Sequence, residues 1–129
     1  MTGRYALDTN IVIALIDRDI SVRDRVVAAD EIFIPSTVLG ELYFGAFNSK
    51  HADANVARID DLARWYVILV VDDATAKIYG EFRRELKAKG KPIPENDIWI
   101  AAMAQRWSVT LATRDDHFDA IDRLAVEKW

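Results

Sequence analysis

Four carboxylates stand where apolar chain should enter a core. Asp8 interrupts "RYALDTNIVIALI", and Glu41 is the only charged side chain in "PSTVLGELYFGAFN". Asp97 is followed by the uncharged run "IWIAAMAQ", and Asp115 lies with Asp116 in "LATRDDHF". Each has an ordinary explanation when taken alone. Glu41 could snorkel from a helix end, Asp97 could favour a helix dipole from its first turn, and Asp115 and Asp116 could cap a turn. Taken together, four unpaired acids at the edges of core elements would repel one another by several kcal/mol at protein-like dielectric. Burying even one costs free energy unless something compensates it.

A cation compensates all four at once. Arg114 is the one basic residue immediately beside any of them, the chain has no cysteine, and no histidine lies near the first three acids in sequence. Oxygen donors alone suit a hard divalent ion, Mg²⁺ or Mn²⁺ in its place. A carboxylate cage around such an ion, with bound water, is equipment for phosphodiester hydrolysis.

The elements that must position these acids can be read from the apolar runs. "YAL", "EIFIP", "VILVV" (residues 67–71), "VTLAT" and "LAVEKW" read as short strands. Between them, "NIVIALIDRD" reads as a helix capped by Asp8 or Thr9 and continuing through "VRDRVVAAD". "STVLGELYFGAFNS" is apolar all round and predicts a buried helix. "HADANVARIDDLARWY" is amphipathic, "DDATAKIYGEFRRELKAKGK" ends near Gly90, and Pro94 suits the first turn of "PENDIWIAAMAQRW". Strands alternating with helices predict an α/β fold, a parallel sheet covered on both faces. In such sheets ligands sit beyond the carboxyl ends of the strands, where Asp8 and Asp115 fall.

The chain has 129 residues, consistent with one domain over 1–129, and 51% hydrophobic content reads as globular. No stretch reaches the ~18 apolar residues of a membrane span. The start "MTGRYALDTN" lacks the marks of a secretory signal, so a cytoplasmic protein is expected. The net charge of −4 argues against a broad basic nucleic-acid surface. It leaves room for a carboxylate-held cation that acts on nucleic acid.

The stretches "ALDTNIVIALI", "IPSTVLGELYFGA", "ENDIWIAAMA" and "LATRDDHF" resemble the PIN-domain nucleases, and within them the VapC-type toxins. Each motif alone is weak, but four in family order over nearly the whole length are specific. The resemblance implies a three-layer α/β/α sandwich with a central, mostly parallel sheet. It implies a Mg²⁺- or Mn²⁺-dependent endoribonuclease acting on RNA, a cognate VapB-like antitoxin and a homodimer. It makes Asp8, Glu41, Asp97 and Asp115 the acidic quartet, with Asp8 and Asp97 as direct metal ligands. Asn10 and Thr113 match polar positions that orient the acids, and Asp116 is the alternate for Asp115.

Other features are set beside these. "RRELKAKGK" (residues 83–91) holds five basic residues against one acid. It could track an RNA backbone, although a solvated helix end is the simpler reading. His117 adjoins the fourth acid, but an ion-activated water needs no protein base. Trp65, Trp99, Trp107 and Trp129 read as packing residues rather than base-stacking ones, and Tyr43, Phe44 and Phe47 as core or dimer surface. "VILVVDD" mimics a phosphorylation receiver, but too little chain follows for one. A dehalogenase-like phosphatase would want an aspartate where Asn10 stands. A catalytically silent PIN-fold module binding RNA or protein is the alternative from another class.

Overall fold

The computed structural model describes residues 3–129. Five strands form one sheet: β1 (Arg4–Leu7), β2 (Glu31–Pro35), β3 (Val67–Leu69), β4 (Thr110–Thr113) and β5 (Val126–Lys128). Their order is β3-β2-β1-β4-β5, and every neighbouring pair is parallel. The helices are α1 (Thr9–Ile16), α2 (Ile20–Ala28), α3 (Ser36–Phe47), α4 (Ala52–Trp65), α5 (Asp73–Lys89) and α6 (Glu95–Arg106). A short 3₁₀ turn, Asp116–Ala120, follows β4. The helices pack on the parallel sheet to give the α/β/α layers. Among the described residues no helix is long and apolar enough to cross a membrane.

Chain order runs outward from β1 in both directions, so the connections leaving β1 and β4 diverge. A crevice opens at such a point, beyond the carboxyl ends of the two strands. The Asp8 N–H donates to the Ala112 carbonyl at 3.0 Å, which extends the β1–β4 pairing to the lip of the crevice.

Local sequence explains where elements stop. The first helical stretch is two helices, not one continuous run. Arg18 turns left-handed at φ 62°, and the Asp19 carboxylate then caps α2 by accepting from the Val22 N–H. α3 is buried on one stripe only, Val38, Leu42 and Ala46, while Phe44 and Phe47 stand 72% and 66% exposed. One side of α3 packs on α4, so only positions four apart turn inward. β3 ends at Leu69 rather than Val71. Its partner residue Pro35 ends β2, so Val70 has no strand left to pair with. α5 closes where Gly90 adopts φ 66°, and the Lys91 N–H returns to the Leu86 carbonyl at 3.0 Å. The core is a single cluster in which Phe82, Ile100, Met103, Leu111 and Phe118 are fully buried.

Candidate active site

Asp8 is the N-cap of α1 and is 5% exposed. Its Oδ1 accepts the Thr9 N–H at 2.8 Å and its Oδ2 accepts the Thr113 hydroxyl at 2.7 Å. Burial pushes its carboxyl above the ordinary range, and the charges of Asp97 and Glu41 push the same way. The two hydrogen bonds offset part of this. Thr113 also accepts the Asp115 N–H at 3.0 Å, so one buried hydroxyl fixes two of the acids.

Glu41 enters from α3. Its Oε2 accepts the Thr9 hydroxyl at 2.6 Å and its Oε1 accepts from the Asn96 amide at 3.2 Å. Asp97, in the first turn of α6, is half-buried, and burial together with Asp115 and Glu41 raises its carboxyl against the lowering effect of His117. The His117 Nδ1 lies 3.1 Å from Asp97 Oδ2 and 3.1 Å from Asp115 Oδ2. Its pKa is raised, first by the bond to Asp97. The Asp115 carboxylate also accepts the His117 N–H at 2.9 Å, which closes the turn after β4.

Shared partners link the four acids at the carboxyl ends of β1 and β4. Thr113 joins Asp8 to Asp115, His117 joins Asp115 to Asp97, and Glu41 accepts from Thr9 and Asn96, the neighbours of Asp8 and Asp97. Among the described residues, no lysine or arginine side chain binds any of the four carboxylates. Arg114, beside Asp115 in sequence, turns away to Asp19 at 3.0 Å and to the Trp129 carbonyl at 3.0 Å. Asn10 does not touch the acids. It accepts the Arg114 N–H at 3.2 Å and so anchors the loop that carries Asp115. Asp116 points outward into an ion pair with Lys128 at 2.8 Å that holds its carboxyl below the usual range. Lys128 also donates to the Asp115 carbonyl at 2.9 Å.

This donor set fits a hard divalent cation. Its carboxylates are buried or half-buried and lack a permanent countercharge. One atom each from Asp97, Asp115 and His117 lie within 4.8 Å of one another. In the sequence His117 is weighed only as a base and Thr9 only as a cap, and Asn96 and Lys128 are not singled out. Asn96 adjoins Asp97 and Thr9 adjoins Asp8, so adjacency to an acid was a usable signal. Lys128 comes near only through the β4–β5 pairing.

The family model described as PIN domain matches residues 5–124. Ribonuclease VapC2 of Haemophilus influenzae is 35% identical over 129 residues, covering 98% of each chain. The tRNA(fMet)-specific endonuclease VapC of Shigella flexneri is 32% identical, again over 98% of each. Among solved structures, VapBC2 from Rickettsia felis, bound to a DNA fragment from its promoter, superposes with a TM-score of 0.89 at 32% identity over 98% of both chains.

Proposed function

Because this chain belongs to the PIN domain family, we propose that it is a metal-dependent endoribonuclease and the toxin of a toxin–antitoxin pair, working in the cytoplasm as a single domain over residues 1–129. The convergence of four carboxylates on the β1–β4 crevice, without a lysine or arginine partner, carries this reading. Asp8 and Asp97 would hold Mg²⁺ or Mn²⁺, with Glu41 and Asp115 completing the set. The ion, when bound, supplies Lewis-acid polarisation of the phosphate and a water acidic enough to attack it.

The chain's own work is placement. Thr113 and the Thr9 N–H each hold one oxygen of the Asp8 carboxylate, which orients it and leaves a lone pair on each oxygen for an ion. Thr9 and Asn96 do the same for Glu41 from two different elements. His117 spans Asp97 and Asp115, its Nδ1 3.1 Å from an oxygen of each, and so ties the turn after β4 to the first turn of α6. Such supporting bonds typically govern metal affinity by 10–100-fold.

The antitoxin reading is supported by a groove between α1, α3 and α4, lined by Ile13, Ile16, Leu42 and Ile59 together with Glu41 and Arg58. A helix lying there would cover one of the four acids. The exposed Phe44 and Phe47 on the outer side of α3 support a homodimer.

The test is cleavage of a mixed RNA pool by purified protein. Fragments are expected with Mn²⁺ or Mg²⁺, none with excess EDTA, and none from Asp97→Asn. Intact RNA from the wild type at any divalent concentration overturns the reading in favour of a silent binding module.

A further inference from the structure

We infer that the C-terminal end of α5 is a phosphate track leading RNA to the carboxylate crevice, with Arg84, Lys87 and Lys91 as its anchoring charges. This rests on the nuclease reading above. A negatively charged chain whose crevice holds four acids repels a polyanion, so a substrate strand needs cations close to that crevice. Among the described residues nine of the 17 lysines and arginines are ion-paired, and of the rest Arg18, Arg23, Lys50, Arg58 and Lys77 lie outside the α5 end. Arg4, Arg25, Arg64, Arg106, Arg114 and Arg123 are ion-paired with acids. Arg84, Lys87 and Lys91 are exposed and, among the described residues, make no ion pair or side-chain hydrogen bond.

Their place in the fold makes the cluster relevant. The C-terminal end of α5 packs against both segments that deliver acids to the crevice. Arg83 lies 3.7 Å from Glu95, two residues before Asp97 in α6. Lys89 donates to the Ala120 carbonyl at 2.8 Å, in the turn that carries His117. Lys87 and Arg83 line a groove with Pro92, Ile93, Ile98 and one acid, Glu95, of the first turn of α6. The Schellman-type closure at Gly90 fixes the backbone on which Lys91 sits.

A helix end alone does not account for this pattern. The macrodipole favours cations in the last turn only, and weakly. Arg84 lies before that turn and Lys91 lies beyond the cap. Phosphate contact uses all three, since backbone contacts come from Lys and Arg and need no base recognition.

The test is salt-dependent binding of a single-stranded RNA of about 20 mixed nucleotides, read by fluorescence anisotropy in Ca²⁺, alongside steady-state cleavage in Mn²⁺. The variant is Arg84→Gln/Lys87→Gln/Lys91→Gln. Its control carries the same charge change elsewhere: Arg23→Gln/Lys50→Gln/Lys77→Gln. Losing three phosphate contacts should lower the slope of log affinity against log salt by about 2. KM should rise roughly tenfold with kcat and the Mn²⁺-induced rise in melting temperature retained, while the control stays as wild type. If the wild type cleaves RNA and the variant binds with an unchanged slope, or if the control falls equally, the track is refuted and the nuclease reading stands. If the wild type neither binds nor cuts RNA, both fall.

Discussion

Asp8 shows what a single buried carboxylate costs and what it makes available. A carboxyl whose folded pKa is raised adds stability below its ordinary value of 3.8 and withdraws it as pH climbs through the folded value. Near neutrality the ionised Asp8 therefore works against the metal-free fold. Asp8→Asn removes the charge and keeps an acceptor for the Thr9 N–H, but it faces Thr113 with a donor in place of an acceptor. These opposing effects should leave the melting temperature in EDTA within about 3 °C of the wild type. The Mn²⁺-induced rise should vanish and cleavage should drop about a hundredfold or more. A fall of 10 °C or more in EDTA would make Asp8 a structural residue. The acids themselves were legible in the sequence because charge in an apolar run is costly wherever it lies. The orientation of Arg114 was not, because a neighbour along the chain can point to either side of a loop.

At the scale of elements, the caps do as much as the apolar pattern. Asp72 caps α5 by accepting the Thr75 N–H at 2.8 Å and its hydroxyl at 2.7 Å, and Arg106 at the end of α6 pairs with it at 3.0 Å. The cap bond first, and then Arg106, hold its carboxyl down to about 2. The sign is opposite to that of Asp8: this contribution is whole above the ordinary 3.8 and drains away as pH falls toward 2. Asp72→Asn should lower the melting temperature by a few degrees at pH 7 and make the acid limb between pH 4 and 2 shallower. A parallel acid limb in the variant would sink the assignment. Strand and helix identities were readable from period and punctuation. Two boundaries were not. The break at Arg18 depends on a left-handed backbone, and the short β3 depends on where its partner ends. The one-sided burial of α3 likewise follows from α4 lying against it, which composition does not show.

For the whole molecule, the central fact is that folding gathers charge it does not neutralise. Binding a divalent ion should then couple to global stability by mass action. Mn²⁺ at a hundred times its dissociation constant should stabilise the fold by about 2.7 kcal/mol, a rise of several degrees in calorimetry. EDTA should reverse it. A melting temperature indifferent to Mn²⁺ would mean that the four acids bind no ion. The α/β class and the position of the crevice followed from alternation and from the ends of strands one and four. The order of strands did not, because nothing local encodes that the chain turns back across β1 before making β4.

That reversal also sets a timetable. Asp8 is made well before Thr113, its buried hydrogen-bond partner, which arrives only with β4, and Asp115 follows directly after. A chain that ends before this strand carries Asp8, Glu41 and Asp97 but lacks both Asp115 and the Thr113 hydroxyl that orients Asp8. The crevice is thus completed across the β1–β4 seam, by a strand made about a hundred residues after the one it pairs with.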